Sequence, residues 1–147
     1  MTNFESFEAE FFGSISNFNL SGLIVALEAS PSGRGYWLVS SDGGVFAYGD
    51  AIFYGSTDDL TLNEPIVDMA VTPTGRGYWL VASDGGVFAY GDADFFGSTG
   101  ELTLNSPIVG LVATPTGRGY WLVASDGGVF AYGDADFFGS ATDPGLI

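Results

Sequence analysis

The stretch TPTGRGYWLVASDGGVFAYGDADFFGS (72–98) recurs letter for letter at 114–140. A third copy, GRGYWLVSSDGGVFAYGDAIFYGS (33–56), differs from it only at Ser40, Ile52 and Tyr54. The phase does not slip: Arg34, Arg76 and Arg118 are 42 residues apart, and so are Asp42, Asp84 and Asp126. A fixed period of this length means that one supersecondary unit is tiled, and that neighbouring copies bury each other's apolar faces. Tiling makes extended surfaces more readily than it makes an asymmetric catalytic site. The repeat therefore points first to a binding or structural protein.

Within each copy, short runs rich in Val, Ile and aromatic residues alternate with turn residues, the pattern of strands. The runs are PIVGLVAT (107–114, with counterparts at 65–72 and 23–30), GYWLVAS (119–125), VFAYGD (129–134) and ADFFGS (135–140). Pro115 and Gly117 separate the first from the second. Ser125-Asp126-Gly127-Gly128 is a hairpin turn, because Asp-Gly supplies the positive φ that tight turns need. Gly133-Asp134 marks a corner, and LTLNSP (102–107) links one unit to the next. No stretch has a helical period. The spacing predicts an all-β chain of four-stranded units. In the third run Phe130 and Tyr132 face one way, and Val129, Ala131 and Gly133 the other. A bulky face opposite a small one suits sheets stacked on copies of themselves.

The period also sets boundaries: a degenerate half repeat or cap over 1–22, repeat 1 over 23–64, repeat 2 over 65–106, and repeat 3 with a short tail over 107–147. Phe11 is in phase with Phe53, Phe95 and Phe137, and Phe4 with Phe46. Three and a half repeats thus make one structural domain. The half repeat is its most polar part (Glu5, Glu8, Glu10, Asn17, Asn19), as a terminal cap should be.

Composition narrows the function classes. The 147 residues are 46% hydrophobic and 16% aromatic, enough for a real core. Eighteen Asp and Glu stand against three Arg, for a net charge of −15. Phosphate binding needs clustered Lys and Arg, so nucleic acid is an improbable partner, as is an anionic membrane surface. The chain has no Lys, His or Cys. Zinc sites built on Cys or His, disulfides, thiol nucleophiles and His bases are therefore excluded. The start, MTNFESFEAEFFGS, has neither a basic n-region nor an apolar h-region, so it does not read as a signal peptide. No apolar run reaches the length of a membrane-spanning helix.

The string GRGYWLVASDGGVFAYGDADFFGS, with the PIVGLVATPTG before it, resembles repeats found in tandem in secreted and surface proteins of actinobacteria. The order of apolar strand, Pro-Thr-Gly, Tyr-Trp strand, Asp-Gly-Gly turn and aromatic strand is also similar to blades of β-propellers of the NHL and WD40 kind. The Trp-Asp dipeptide of WD40 blades is missing, as is the NHL run of Asp and Asn. The resemblance implies an extracellular, cell-surface or virion-associated setting and propeller-like blades. Propellers have four to eight blades, so three cannot close a ring alone. A propeller then implies a homo-oligomer, most simply a two-fold dimer of six blades. A β-trefoil and a capped open stack of sheets are the alternatives.

Three residue classes are candidates for chemistry. Asp126, Asp134 and Asp136 recur with their counterparts, except that Ile52 replaces the third in repeat 1. Paired carboxylates can do acid–base work or bind calcium, but Asp126 and Asp134 stand at turns that favour Asp for their own geometry. Their spacing matches neither an EF-hand nor the nonapeptide calcium repeat, so neither a metal nor another cofactor is expected. Arg34, Arg76 and Arg118, each in a Gly-Arg-Gly turn, are expected to pair with Asp or, less readily, to recognise an anion. The pairs Tyr36-Trp37, Tyr78-Trp79 and Tyr120-Trp121 could stack on sugar rings, although alternation along a strand turns one of each pair into the core. Repeat 1 departs from the pattern at Glu28, where Ala70 and Val112 stand in the others, and at Leu23, where they have Pro65 and Pro107.

No nucleophile–base pair or phosphate loop is present in the sequence. The expected function is a non-enzymatic, lectin-like binding module that presents repeated aromatic and acidic sites to glycans or cell-surface polymers. The alternative is a structural, decoration or appendage protein. An enzyme built on Asp pairs comes last.

Overall fold

The computed structural model describes residues 22–58, 60–100 and 102–141. The expected N-terminal half repeat falls almost wholly outside these residues. The described chain is all-β, with nine strands and no helix. Unit 1 contributes β1 (Ile24–Ala29), β2 (Gly35–Ser40) and β3 (Val45–Gly49). Unit 2 contributes β4 (Ile66–Val71), β5 (Gly77–Ala82) and β6 (Val87–Gly91). Unit 3 contributes β7 (Ile108–Ala113), β8 (Gly119–Ala124) and β9 (Val129–Gly133). Each unit is an antiparallel meander with its second strand in the middle. The Asp-Gly-Gly turns close the hairpins: Gly85 takes φ +87°, and Asp84 Oδ1 accepts the Gly86 N–H at 2.9 Å.

The fourth expected strand does not form. Residues 51–56, 93–98 and 135–140 join no ladder, so each unit is a three-stranded sheet followed by a strap. In units 1 and 2 the strap is held by the next unit. Tyr78 Oη accepts the N–H groups of Tyr54 (2.9 Å) and Gly55 (3.0 Å) and donates to Gly55 O (2.7 Å). From the strap's own unit, Trp37 Nε1 donates to Ile52 O at 2.8 Å. Side chains thus satisfy backbone groups that a strand would give to a ladder. Gly55 is required here: its φ is +142°, and a β-carbon would come within 2.4 Å of the Tyr90 ring.

The sheets pack face on face in chain order, and β4 lies between β1 and β7. No ladder joins one sheet to another among the described residues, so the barrel of a β-trefoil is not built. A bulge in the first strand of every sheet makes the packing possible. Ile66 pairs with Ala82 but Asp68 with Val81, leaving Val67 as the extra residue. This shift switches the side-chain parity, so Ile66 and Met69 reach the same face.

The core consists of two layers between sheets. The first joins Trp37, Val39 and Val45 of unit 1 to Ile66, Met69, Tyr78 and Leu80 of unit 2. The second joins Trp79, Val81 and Val87 of unit 2 to Ile108, Leu111, Tyr120 and Leu122 of unit 3. In β5, Tyr78 and Leu80 face back and Trp79 and Val81 face forward, and all six of its residues are buried. The expected alternation in the third strand is present too: Phe88 and Tyr90 face unit 1, while Val87 and Ala89 face unit 3. No unit has a core of its own, which is why the repeat must be tiled to fold.

Candidate functional site

The aromatic pairs turn out to be joints. Trp37, Trp79, Tyr78 and Tyr120 are completely buried, and Tyr36 and Trp121 are half-buried. Each buried Trp meets the Tyr of the next unit edge-on, Trp37 with Tyr78 at 5.8 Å between ring centres and Trp79 with Tyr120 at 5.6 Å. A ring without solvent access offers no face to a sugar, so these four residues weld unit to unit. Burial also pushes the Tyr78 and Tyr120 hydroxyls above the ordinary range.

The arginines lie at one end of the strands, in the loops that join the first and second strands. Successive loops touch: a β-carbon on Gly75 would come within 2.8 Å of Pro31, and one on Gly117 within 2.7 Å of Pro73. Arg34, Arg76 and Arg118 therefore form an exposed row. The expected ion pairs are not made among the described residues. Each Arg acts at longer range on an Asp that is held by hydroxyls instead. Thr114 Oγ1 donates to Asp134 Oδ1 at 2.8 Å and Thr116 Oγ1 to Oδ2 at 2.5 Å, while Thr116 Oγ1 accepts the Arg118 N–H at 3.0 Å. The Thr116 and Thr114 hydroxyls hold the Asp134 carboxyl below the usual carboxylate range. In unit 2, burial opposes the same effect on Asp92, but the hydroxyls of Thr74 and Thr72 and the charge of Arg76 together outweigh it. These Asp residues lock the loop that carries the Arg, and Asp84 and Asp126 close hairpin turns. The turn reading accounts for the bonding of Asp84 and Asp126, whereas Asp134 is held across the loop by Thr114 and Thr116.

Strand polarity puts the hairpin turns and inter-unit linkers at the opposite end, where two equivalent clefts open. One lies between Ser41-Asp42 and the linker, lined by Asp58, Leu60, Leu62, Asn63 and Glu64. The other lies 42 residues on, between Ser83-Asp84 and Leu102, Leu104, Asn105 and Ser106, with Glu64 at its edge. Each combines an Asn amide, an Asp carboxylate and a Ser hydroxyl above leucine side chains. From sequence LTLNSP (102–107) reads as a linker only, and LTLNEP (60–65) is its counterpart. Their Leu-Thr-Leu-Asn-x-Pro recurrence was the available signal.

A third groove crosses β1, β4 and β7 at the arginine end and holds Glu28. Burial, and then the charge of Asp68, push the Glu28 carboxyl above its ordinary value of 4.5. Asp68 is engaged on its other side, where Oδ2 accepts the Leu111 N–H at 3.0 Å. A raised carboxyl favours the folded state while protonated, and that contribution is lost as the pH rises. Glu28→Gln is therefore expected to raise the melting temperature at neutral pH. The gain should be up to about 1 kcal/mol, since the group is half-exposed and screened. It should shrink as the pH falls toward 4.5 and be gone below it. Thermal melts of both proteins across that range check this, and a gain independent of pH would refute it.

Among the described residues no three acidic side chains converge in a metal-binding arrangement. No protein-family model matches the chain, and no curated protein is significantly similar to it.

Proposed function

We propose that the chain is a non-enzymatic binding scaffold whose sheets act as propeller-like blades and whose repeated clefts bind a hydroxylated polymer such as a surface glycan. The observation that carries this reading is the recurrence of one cleft, with the same Ser-Asp turn and the same two leucines and asparagine of the linker, in successive units. Amide, carboxylate and hydroxyl groups side by side suit the hydroxyls of a sugar, and the leucines suit its apolar face. A single open cleft of this kind binds weakly. Equivalent sites on a rigid scaffold raise avidity for a polymer with its own repeat, without any new contact. The absence of Cys and His, and the engagement of the repeated Asp residues in turns, favour binding over catalysis. Actinobacterial surface repeats, which the sequence resembles, are consistent with this setting.

A glycan array followed by calorimetry tests it. The wild-type chain should bind at least one polysaccharide, and Asn63→Ala with Asn105→Ala should weaken that binding by about tenfold or more while leaving the melting curve unchanged. Indifference of the wild type to every polysaccharide would overturn the reading.

A structural or decoration role is the second reading, favoured by a separate observation: large apolar side chains are exposed at both ends of the stack.

A further inference from the structure

The two outer faces of the stack are the two halves of an interface that the chain already forms twice internally. At each internal joint, a preceding unit offers its Trp, two valines and the aromatic of its strap. The following unit covers them with its Ile, a Leu or Met, and its Tyr. On unit 2 and unit 3 the covering residues Ile66, Ile108, Met69 and Leu111 are 0–3% exposed. Their counterparts on unit 1, Ile24 and Leu27, are 40% and 60% exposed. The receiving side shows the same contrast. Phe96 lies under Tyr120, with ring centres 5.8 Å apart, whereas its counterpart Phe138 is 82% exposed. Val81 is fully buried, and its counterpart Val123 is only partly covered.

The open face of unit 3 is identical in sequence over 114–140 to the face of unit 2 that unit 3 itself covers. Its complement is therefore already defined: the first strand of another unit of this repeat, presented as β7 is presented to unit 2. Among the described residues the matching uncovered strand is β1. From this we infer that a second copy of the chain docks head to tail, with its β1 face (Ile24, Leu27) against the unit 3 face (Val123, Phe138). The inference rests on the reading of the sheets as stackable blades, not on the clefts. A contact between unlike faces closes into a ring when the rotation per unit permits, and otherwise propagates. Two chains of three units closing on each other would form a six-bladed ring.

Sedimentation and light scattering on the 147-residue chain test this with two charged substitutions at exposed positions, Leu27→Glu and Phe138→Glu. The wild type should run as a dimer or larger species, and each variant alone should fall to the 15.3 kDa monomer with an unchanged circular dichroism spectrum. Each variant keeps one intact face, and the two intact faces differ, so an equimolar mixture should recover a one-to-one pair. A monomeric wild type overturns the proposal. So does a wild-type-sized assembly in either variant, which would show that like faces pair, and so does a mixture that stays monomeric. Both substitutions lie away from the clefts. A monomer that still binds polysaccharide would thus refute the docking alone, whereas an assembly that binds none would refute the cleft reading alone.

Discussion

Trp79→Ala should destabilise the chain by about 3–5 kcal/mol, the range for removing a fully buried large aromatic side chain. The indole is completely buried between two sheets, and its Nε1 donates to Asp94 O at 2.7 Å. Truncation empties the centre of the second core layer and leaves that carbonyl short of a partner. The comparison with Trp121→Ala makes the prediction sharp. Trp121 has the same local sequence and the same bond, to Asp136 O at 2.7 Å, but no following sheet covers it among the described residues. Its loss should cost only on the order of 1 kcal/mol in the monomer. Denaturant titrations in the monomeric Leu27→Glu background, followed by circular dichroism, provide both numbers. Equal costs at the two positions would mean that the stacking of sheets, as opposed to the fold of each sheet, does not control stability.

Tyr78→Phe should cost about 2–3 kcal/mol, although it removes a single oxygen atom. That oxygen serves the Tyr54 N–H, the Gly55 N–H and the Gly55 carbonyl, all in the strap of the preceding unit. Without it, three partly buried backbone groups lose their partner, and a buried group left unsatisfied costs about 1–3 kcal/mol. Water can reach part of the strap, which keeps the total below the sum. Tyr48→Phe is the control: its hydroxyl makes no hydrogen bond among the described residues, and the change should be near neutral. Amide hydrogen exchange adds a local readout. Exchange at Tyr54 and Gly55 should accelerate in Tyr78→Phe, because the strap loses its anchor. Unchanged exchange there, even with lower global stability, would place the defect elsewhere and refute the strap mechanism.

Both predictions depend on relations between units, and this separates what could be read in the chain from what could not. Strand positions were legible to within a residue or two. For β8, the run 119–125 forms a strand over Gly119–Ala124, because period-two apolar patterning and Asp-Gly turns act over a few residues. The structural roles of Asp84 and Asp126 were legible for the same reason. The strap was not. ADFFGS has every local property of a strand, yet no copy joins a ladder, and in units 1 and 2 the strap is held instead by a tyrosine 23 or 24 residues further on. The candidate site was barely legible. The aromatic pairs stood out by residue type, but Trp37, Tyr78, Trp79 and Tyr120 are buried by a neighbouring sheet. The clefts arise where a linker passes a hairpin turn, and neither segment announces that contact.

Local sequence thus dictated the turns, the strands, the alternation of faces and the 42-residue period, all of which rest on short-range sterics and side-chain parity. The stacking decided everything that depends on a neighbour. Trp79 and Trp121 have identical surroundings along the chain and opposite fates, since burial belongs to the sheet that lies on top. Glu28 and Asp68 are far apart in sequence and interact only because β1 and β4 are adjacent. A repeat specifies its own unit locally, but exposure, charge coupling and the open apolar ends follow only from how many units are stacked and which faces remain uncovered.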